Sequence, residues 1–215
     1  MPNHVTNKIK APSHVIAALV NEKGNVDFGR VIAFTGEFPW DGVNMAAENL
    51  AEVVTGKPLS DHPLLASLEA ANRAETKVQN LSDESFEQFV QMLRNFRKCG
   101  VFHGMAFARQ QWGTKWNAYE CVVDVAAGTA QFDTAWSCPE PVLTKLSSQF
   151  PDDQIEVTFA DEDIGSNCGT FTLKAGSVIS SDIAPSWRDM TDEQKAKWRA
   201  FACDVKGWNP SDDED

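Results

Sequence analysis

The chain has 215 residues, with 31 acidic and 19 basic side chains and a formal net charge of -12. This charge opposes direct binding to DNA or RNA, because phosphate contacts need clustered Lys and Arg. A hydrophobic fraction of 42% excludes a wholly disordered chain. No apolar run reaches the roughly 18 residues that a membrane span needs. We therefore expect an intracellular protein with no membrane segment, built as one elaborated domain or two small ones.

The first elements predicted along the chain are a strand and several helices. Residues 4–10 are typical of a strand, and Pro12-Ser13 begins a helix that continues to Val20. Three further helices are predicted over residues 44–54, 63–78 and 83–99. For the last of them, Ser82 is the expected N-cap. Its expected buried stripe consists of Phe86, Phe89, Val90, Leu93 and Phe96.

From residue 118 onward the apolar period changes from helical to alternating. Residues 119–125 and 130–136, joined by a turn at 126–129, predict a β-hairpin. The segment Ser137-Cys138-Pro139-Glu140 has the form of a capping box and predicts a helix to about residue 150. Strands are predicted over 154–160 and 170–174, with a further candidate at 178–182. A second capping box, starting at Thr191, opens the last helix, which runs to about Cys203.

This order of elements predicts an α+β fold, a ferredoxin-like antiparallel sheet of split β-α-β-β-α-β type with a helical insertion and a C-terminal helix. We expect residues 1–39 and 101–185 to form the ferredoxin-like domain, and residues 40–100 the insertion. Residues 186–208 are expected to form the C-terminal helical segment, and residues 209–215 a disordered acidic tail.

The motif content favours binding over catalysis. Five dispersed cysteines and four scattered histidines provide no ligand spacing for zinc or an iron-sulfur cluster, so we predict no metal and no cofactor. No phosphate-binding loop, nucleophile elbow or zinc-protease motif is found.

Two tryptophan-bearing segments are the most unusual feature of the sequence. They are residues 112–119, Trp-Gly-Thr-Lys-Trp-Asn-Ala-Tyr, and residues 132–137, Phe-Asp-Thr-Ala-Trp-Ser. With the acidic stretch at 159–165 and the opening Met-Pro-Asn-His-Val-Thr-Asn, they resemble the YubB ferredoxin-like domain family of plasmid, phage and prophage proteins. The resemblance is specific over residues 111–174. It implies a ferredoxin-like fold, an origin in a mobile genetic element and a location in the cytoplasm of the bacterial host.

Two interpretations of the tryptophan segments stay open. In the structural one, the three tryptophans pack where the hairpin meets the insertion, Gly113 permits a close approach, and Lys115 pairs with an acid such as Asp133. In the functional one, aromatic faces and cations line a groove that stacks a base or holds a partner's side chain. The candidate binding residues here are Arg109, Trp112, Lys115, Trp116, Asp133 and Trp136.

The acidity of the chain is uneven. Residues 1–100 hold 10 basic and 12 acidic side chains, net -2, whereas residues 101–215 hold 9 and 19, net -10. Within the second half, Asp161, Glu162 and Asp163 form either a solvated surface turn or part of an acidic binding surface.

The leading functional hypothesis is a noncatalytic accessory protein of a mobile element that binds a host protein through an acidic surface. A nucleic-acid-binding protein of a defence system such as CRISPR or restriction would be such a partner. The alternative is a small-molecule or nucleotide binder, which could be an enzyme, with a Trp-lined pocket. Direct binding of single-stranded nucleic acid has to overcome the negative charge and is disfavoured. The oligomeric state is left open.

Overall fold

The computed structural model describes residues 3–209. Within them the chain divides into two compact units, one of residues 3–33 and 108–209 and one of residues 34–107. We call them the sheet unit and the helical unit. The domain boundaries expected from the sequence stay predictions. Apart from Asn209, the predicted acidic tail lies outside the described residues.

The sheet unit contains one antiparallel sheet of six strands, in the order β2-β3-β1-β4-β5-β6. Because β3 lies between β1 and β2 and runs antiparallel to both, the first four strands have the ferredoxin-like order, and the predicted fold class is confirmed. The strands are β1 His4–Lys10, β2 Tyr119–Asp124, β3 Thr129–Ala135, β4 Gln154–Asp161, β5 Cys168–Lys174 and β6 Ser177–Ile183.

The helices, in chain order, are α1 Ser13–Leu19, α2 Met45–Thr55, α3 Pro63–Glu75, α4 Asp83–Cys99, α5 Gly104–Phe107, α6 Glu140–Gln149 and α7 Asp192–Lys206. No helix among residues 3–209 is both long and apolar enough to cross a membrane.

Each face of the sheet packs against helices, since side chains alternate between the two faces of a strand. In β4, Ile155, Val157 and Phe159 join the main core, which includes apolar residues of α1 and α6. Ala160 points to the opposite face, where Trp198 and Ala202 of α7 form a second core. The sheet is therefore covered on one face by two helices and partly covered on the other by one.

The two predicted capping boxes have different outcomes. At α7 the box is confirmed, because the Thr191 hydroxyl accepts from the backbone of Gln194 and the Gln194 side chain accepts from the backbone of Thr191. At α6 the predicted box is wrong. The N-cap there is Pro139, and the Ser137 hydroxyl donates to the carbonyl oxygen of Gly113 instead.

The helical unit has its own small core. It consists of Ala47, Leu50, Ala51, Phe89, Met92 and Phe102. Helix α3 has no buried residue, and its Arg73 forms a 2.9 Å ion pair with Glu52 of α2.

The buried face of α4 differs from the predicted apolar stripe. Ser82 is the N-cap, as predicted, but Phe86 and Phe96 are 44% and 37% exposed. The buried residues are Ser85, Gln88, Phe89, Met92 and Asn95. The stripe is wrong at its two ends because polar side chains of α4 point inward and hydrogen-bond to the backbone of residues 37–44.

Candidate functional site

Trp112 is partly buried and packs against the main core of the sheet unit. Its indole N–H donates to the carbonyl oxygen of Ile32 at 2.9 Å, and its ring lies edge-on to Phe28 with centroids 5.7 Å apart. The next residue, Gly113, has φ +74°, and a Cβ there would lie 3.0 Å from the Pro141 ring. This close approach fixes the backbone that leads to Lys115 and Trp116.

Arg109, Lys115, Trp116 and Trp136 form a surface cluster that we call the cation–tryptophan patch. The Lys115 ammonium lies 4.7 Å from the centroid of the Trp116 ring and 5.2 Å from that of Trp136. The Arg109 guanidinium lies 5.5 Å from the centroid of the Trp136 ring, which is 45% exposed. Among residues 3–209, no carboxylate is within ion-pair distance of either cation, so the predicted Lys115–Asp133 pair is not formed.

Trp136 is held in a strained backbone conformation. Its φ is +73°, which costs a non-glycine residue about 1–2 kcal/mol. Two hydrogen bonds fix it there: its N–H donates to the carbonyl oxygen of Asn3 at 2.9 Å, and its carbonyl oxygen accepts from Asn167 Nδ2 at 3.0 Å. The ring is thus preorganised at the end of β3, where it can contact a ligand without further ordering.

The three adjacent acids at the end of β4 have different roles. Asp161 is 4% exposed, and its carboxylate accepts from Asn3 Nδ2 at 3.1 Å, Asn167 Nδ2 at 2.7 Å and the Asp163 N–H at 3.0 Å. Glu162 and Asp163 are exposed. Because Asn167 bonds both Asp161 and Trp136, the acidic turn lies beside the patch.

Asp133 belongs to a different group of ionisable residues that the sequence did not indicate. In this group the Tyr119 hydroxyl lies 2.9 Å from His4 Nδ1, and Lys206 Nζ donates to the His4 carbonyl oxygen at 3.2 Å. Asp133 is paired in register with Tyr119 across β2 and β3. His4, Tyr119 and Lys206 are each more than 80 positions apart in the chain, so no sequence motif could have indicated this group.

Two pKa values reflect the partial burial of this group. Burial, together with the charges of Asp133, Glu162 and Glu120, raises the pKa of Tyr119 to about 12. Burial also lowers the pKa of Lys206, and the surrounding carboxylates, Asp133 first, oppose that effect.

One groove of the sheet unit lies away from all the predicted residues. It has a volume of about 430 Å³ and crosses β2, β3, β1 and β4. Its charged lining residues are two basic ones, Lys8 and Lys10, and two acidic ones, Asp124 and Glu156. No aromatic residue of the described part of the chain lines it, so it offers no stacking surface for a base there. The cation–tryptophan patch, where rings and cations meet, has such a surface.

No group of three His, Cys, Asp or Glu side chains within residues 3–209 is close enough together to hold a metal ion.

Comparison with known proteins agrees with the fold. Residues 115–200 match the family model described as a ferredoxin-like domain in Api92-like protein. The crystal structure of a protein api92 from Yersinia pseudotuberculosis is similar at 10% sequence identity and a TM-score of 0.37, over 86% of this chain and 99% of that chain. A likeness of that size supports no argument by itself. No curated protein matches the sequence. The phage or plasmid origin implied by the sequence resemblance stays a prediction.

Proposed function

We propose that this chain is a noncatalytic binding protein that holds a protein partner at the cation–tryptophan patch. The observation that carries the proposal is the position of Lys115, which lies against two partly exposed indole rings and has no carboxylate of residues 3–209 within ion-pair distance. Trp and Arg are the residues most enriched at the energetic centres of protein interfaces. Rings that are already held in place lose little conformational entropy when a partner covers them.

The partner that we propose is a basic host protein, bound on behalf of a mobile genetic element. The resemblance to plasmid and phage proteins supports the biological setting. The exposed carboxylates of Glu162 and Asp163 beside the patch support the charge of the partner, because opposite charges at an interface rim accelerate association. A nucleic-acid-binding protein of a defence system such as CRISPR or restriction has the required basic surface.

The test compares three forms of the full chain as bait for host proteins: wild type, Trp136→Ala and Trp208→Ala. Trp208 is a matched control, since it is also 45% exposed and also has a cation, Lys206, 4.8 Å from its ring centroid. We expect Trp136→Ala to weaken a purified partner's binding about 30-fold, the effect of an interface residue worth about 2 kcal/mol. The Trp208→Ala chain should bind as wild type does.

Neutralising the acidic turn tests the charge of the partner. The double variant Glu162→Gln, Asp163→Asn leaves the buried Asp161 in place, so the fold of the turn is kept. We expect a slower association rate and a weaker dependence of that rate on salt. In the preceding comparison, equal binding of the partner by wild type and Trp136→Ala would refute the cation–tryptophan patch as the interface.

The alternative, a nucleotide or small-molecule site at the same rings, is separated by a thermal-shift panel. A ligand present at 100 times its dissociation constant stabilises the folded state by roughly 2.7 kcal/mol. A nucleotide that stabilises wild type but not Trp136→Ala would replace the protein partner with a small ligand.

A further inference from the structure

The helical unit contains an aromatic pocket that no sequence motif indicated. It has a volume of about 220 Å³, and its walls include Phe34, Phe38, Trp40 and Met105. The Phe38 ring contacts those of Trp40 and His103, with centroids 5.1 Å and 5.5 Å apart and planes inclined by 61° and 48°. All three residues line the pocket.

The charge around this pocket is negative. Asp41 lies in its lining and is exposed, and among residues 3–209 no Lys or Arg lines the pocket. His103 Nδ1 accepts from the Ala106 N–H at 3.2 Å, so the ring proton belongs on Nε2, which lies 3.2 Å from Glu48 Oε1. The imidazole therefore contributes another π surface. Four aromatic rings with a carboxylate at the rim favour a cation.

The segment that carries Phe38, Trp40 and Asp41 is held at both ends by buried amides of α4. Asn95, 1% exposed, donates to the carbonyl oxygen of Glu37 at 2.8 Å and accepts from its N–H at 3.0 Å. Gln88, 3% exposed, accepts from the Asn44 N–H at 2.8 Å and donates to the Gly42 carbonyl oxygen at 3.2 Å. These four bonds fix the segment in place, so the pocket exists before any ligand arrives.

The position of the Phe34 ring in the pocket wall depends on Gly36. A Cβ at this position would overlap the Phe34 ring, so the ring can lie over the backbone only where the residue is glycine.

We propose that this pocket binds an alkylammonium cation, and that its source is a lysine or N-methylated lysine side chain of a protein. The volume is below the roughly 300–1,000 Å³ of most small-molecule sites, which suits a single side-chain head group. The site is separate from the cation–tryptophan patch, and either proposal can fail without the other.

The experiment titrates the full chain with choline and with 3,3-dimethyl-1-butanol, a neutral molecule of the same shape. Binding is followed by the NMR signals of the indole N–H groups, of which the chain has seven. The Trp40 signal is assigned from its absence in Trp40→Phe. We expect choline to bind about 2- to 30-fold more tightly than the neutral molecule, the range that a cation–π contact provides.

Variants separate the pocket from other aromatic surfaces. Trp40→Phe should retain part of the choline affinity, whereas Trp40→Leu should lose it and Asp41→Asn should weaken it. Because the two Trp40 variants lack the reporting indole, their affinity is measured by isothermal titration calorimetry. Trp208→Leu should leave the choline affinity unchanged. Unaltered signals of the other indoles show that each variant is folded. Equal affinity for choline and its neutral counterpart, or no shift of the Trp40 signal with either, would overturn the proposal.

A second pair of probes identifies the source of the cation. Short peptides that carry trimethyl-lysine or unmodified lysine are compared with choline. Binding of either peptide at least as tight as that of choline supports the side chain as ligand. Peptides that both bind more weakly than choline would refute that part and leave a small quaternary ammonium as the ligand.

Discussion

Asp161 is a structural carboxylate in a segment that reads as a surface acidic turn. Its side chain is 4% exposed and accepts hydrogen bonds from Asn3, Asn167 and the backbone of Asp163. Glu162, the next residue, has an exposed side chain, and its backbone N–H donates to the His4 carbonyl oxygen. Neighbouring acids of the same turn therefore differ in what their removal would do.

We expect Asp161→Ala to lower the free energy of unfolding by about 1–3 kcal/mol, because it removes the buried acceptor of three hydrogen bonds. Glu162→Ala, the exposed control, should change it by less than about 0.5 kcal/mol. Urea unfolding of the two variants and wild type measures both values. Equal stability of Asp161→Ala and wild type would show that the hydrogen-bond network of the turn is dispensable.

Tyr119 makes the folded state sensitive to alkali. Its pKa is about 12 when folded and 10.0 in the reference state, so it is the unfolded chain that loses the phenol proton first as the pH rises. The contribution of the protonated Tyr119 phenol to the stability of the folded state is complete below pH 10 and is lost between pH 10 and about 12. Since Tyr119 is the single tyrosine of the chain, the ultraviolet absorbance of tyrosinate reports it directly.

In Tyr119→Phe, the part of the stability decline above pH 10 that is due to the phenol should be absent, while lysine titration continues as in wild type. Urea unfolding at a series of alkaline pH values gives this difference. An absorbance titration of the native chain with a midpoint at the ordinary value of tyrosine would contradict the prediction.

At the scale of the elements, the β2–β3 hairpin depends on one glycine. Gly128 has φ +71°, and a Cβ there would overlap the carbonyl oxygen of Ala11, whose N–H donates to the Gly128 carbonyl oxygen at 2.9 Å. The turn thus packs against the backbone of the connection between β1 and α1. Unlike the end of a flexible side chain, this backbone cannot move aside easily.

We expect Gly128→Ala to destabilise the fold by about 2–5 kcal/mol, through both backbone strain and overlap. Gly24→Ala is the matched control, because Gly24 has φ +81° and no atom within 4 Å of the added Cβ. The control should show the strain alone, about 1–2 kcal/mol. Thermal and urea unfolding of both variants compare them, and similar losses would mean that the overlap is relieved without cost.

At the scale of the whole molecule, the two units have separate cores. The helical unit is continuous in the chain, and its core residues come only from within residues 34–107. The sheet unit, by contrast, is assembled from two segments of the chain. This arrangement predicts that the helical unit can fold by itself.

A fragment of residues 34–107 is expected to be helical by circular dichroism and to unfold cooperatively on heating, with modest stability because the domain is small. Phe89→Ala in the same fragment should abolish or strongly broaden the transition, because loss of a buried phenyl ring costs about 3–5 kcal/mol. A fragment with the spectrum of an unfolded chain would show that the helical unit needs the remainder of the protein.

Much of the fold could be predicted from local signals. The boundaries of α4 and the N-caps Ser82 and Thr191 lie where the sequence placed them. The candidate site was predictable only in part. Lys115 and Trp116 are adjacent, so their contact has a local cause, whereas Trp136 reaches them because the Thr114 hydroxyl hydrogen-bonds to the backbone of Ala135.

The sequence by itself determined the type and order of the elements, and from them the ferredoxin-like sheet, because period and cap chemistry are carried by residues close together in the chain. Only the tertiary structure decided which polar groups are buried. Asn95 and Gln88 point inward on α4, and Ser137 bonds to Gly113 rather than capping α6. The partner of a hydrogen-bonding side chain is fixed by how distant elements pack, and no local pattern of apolar residues encodes that choice.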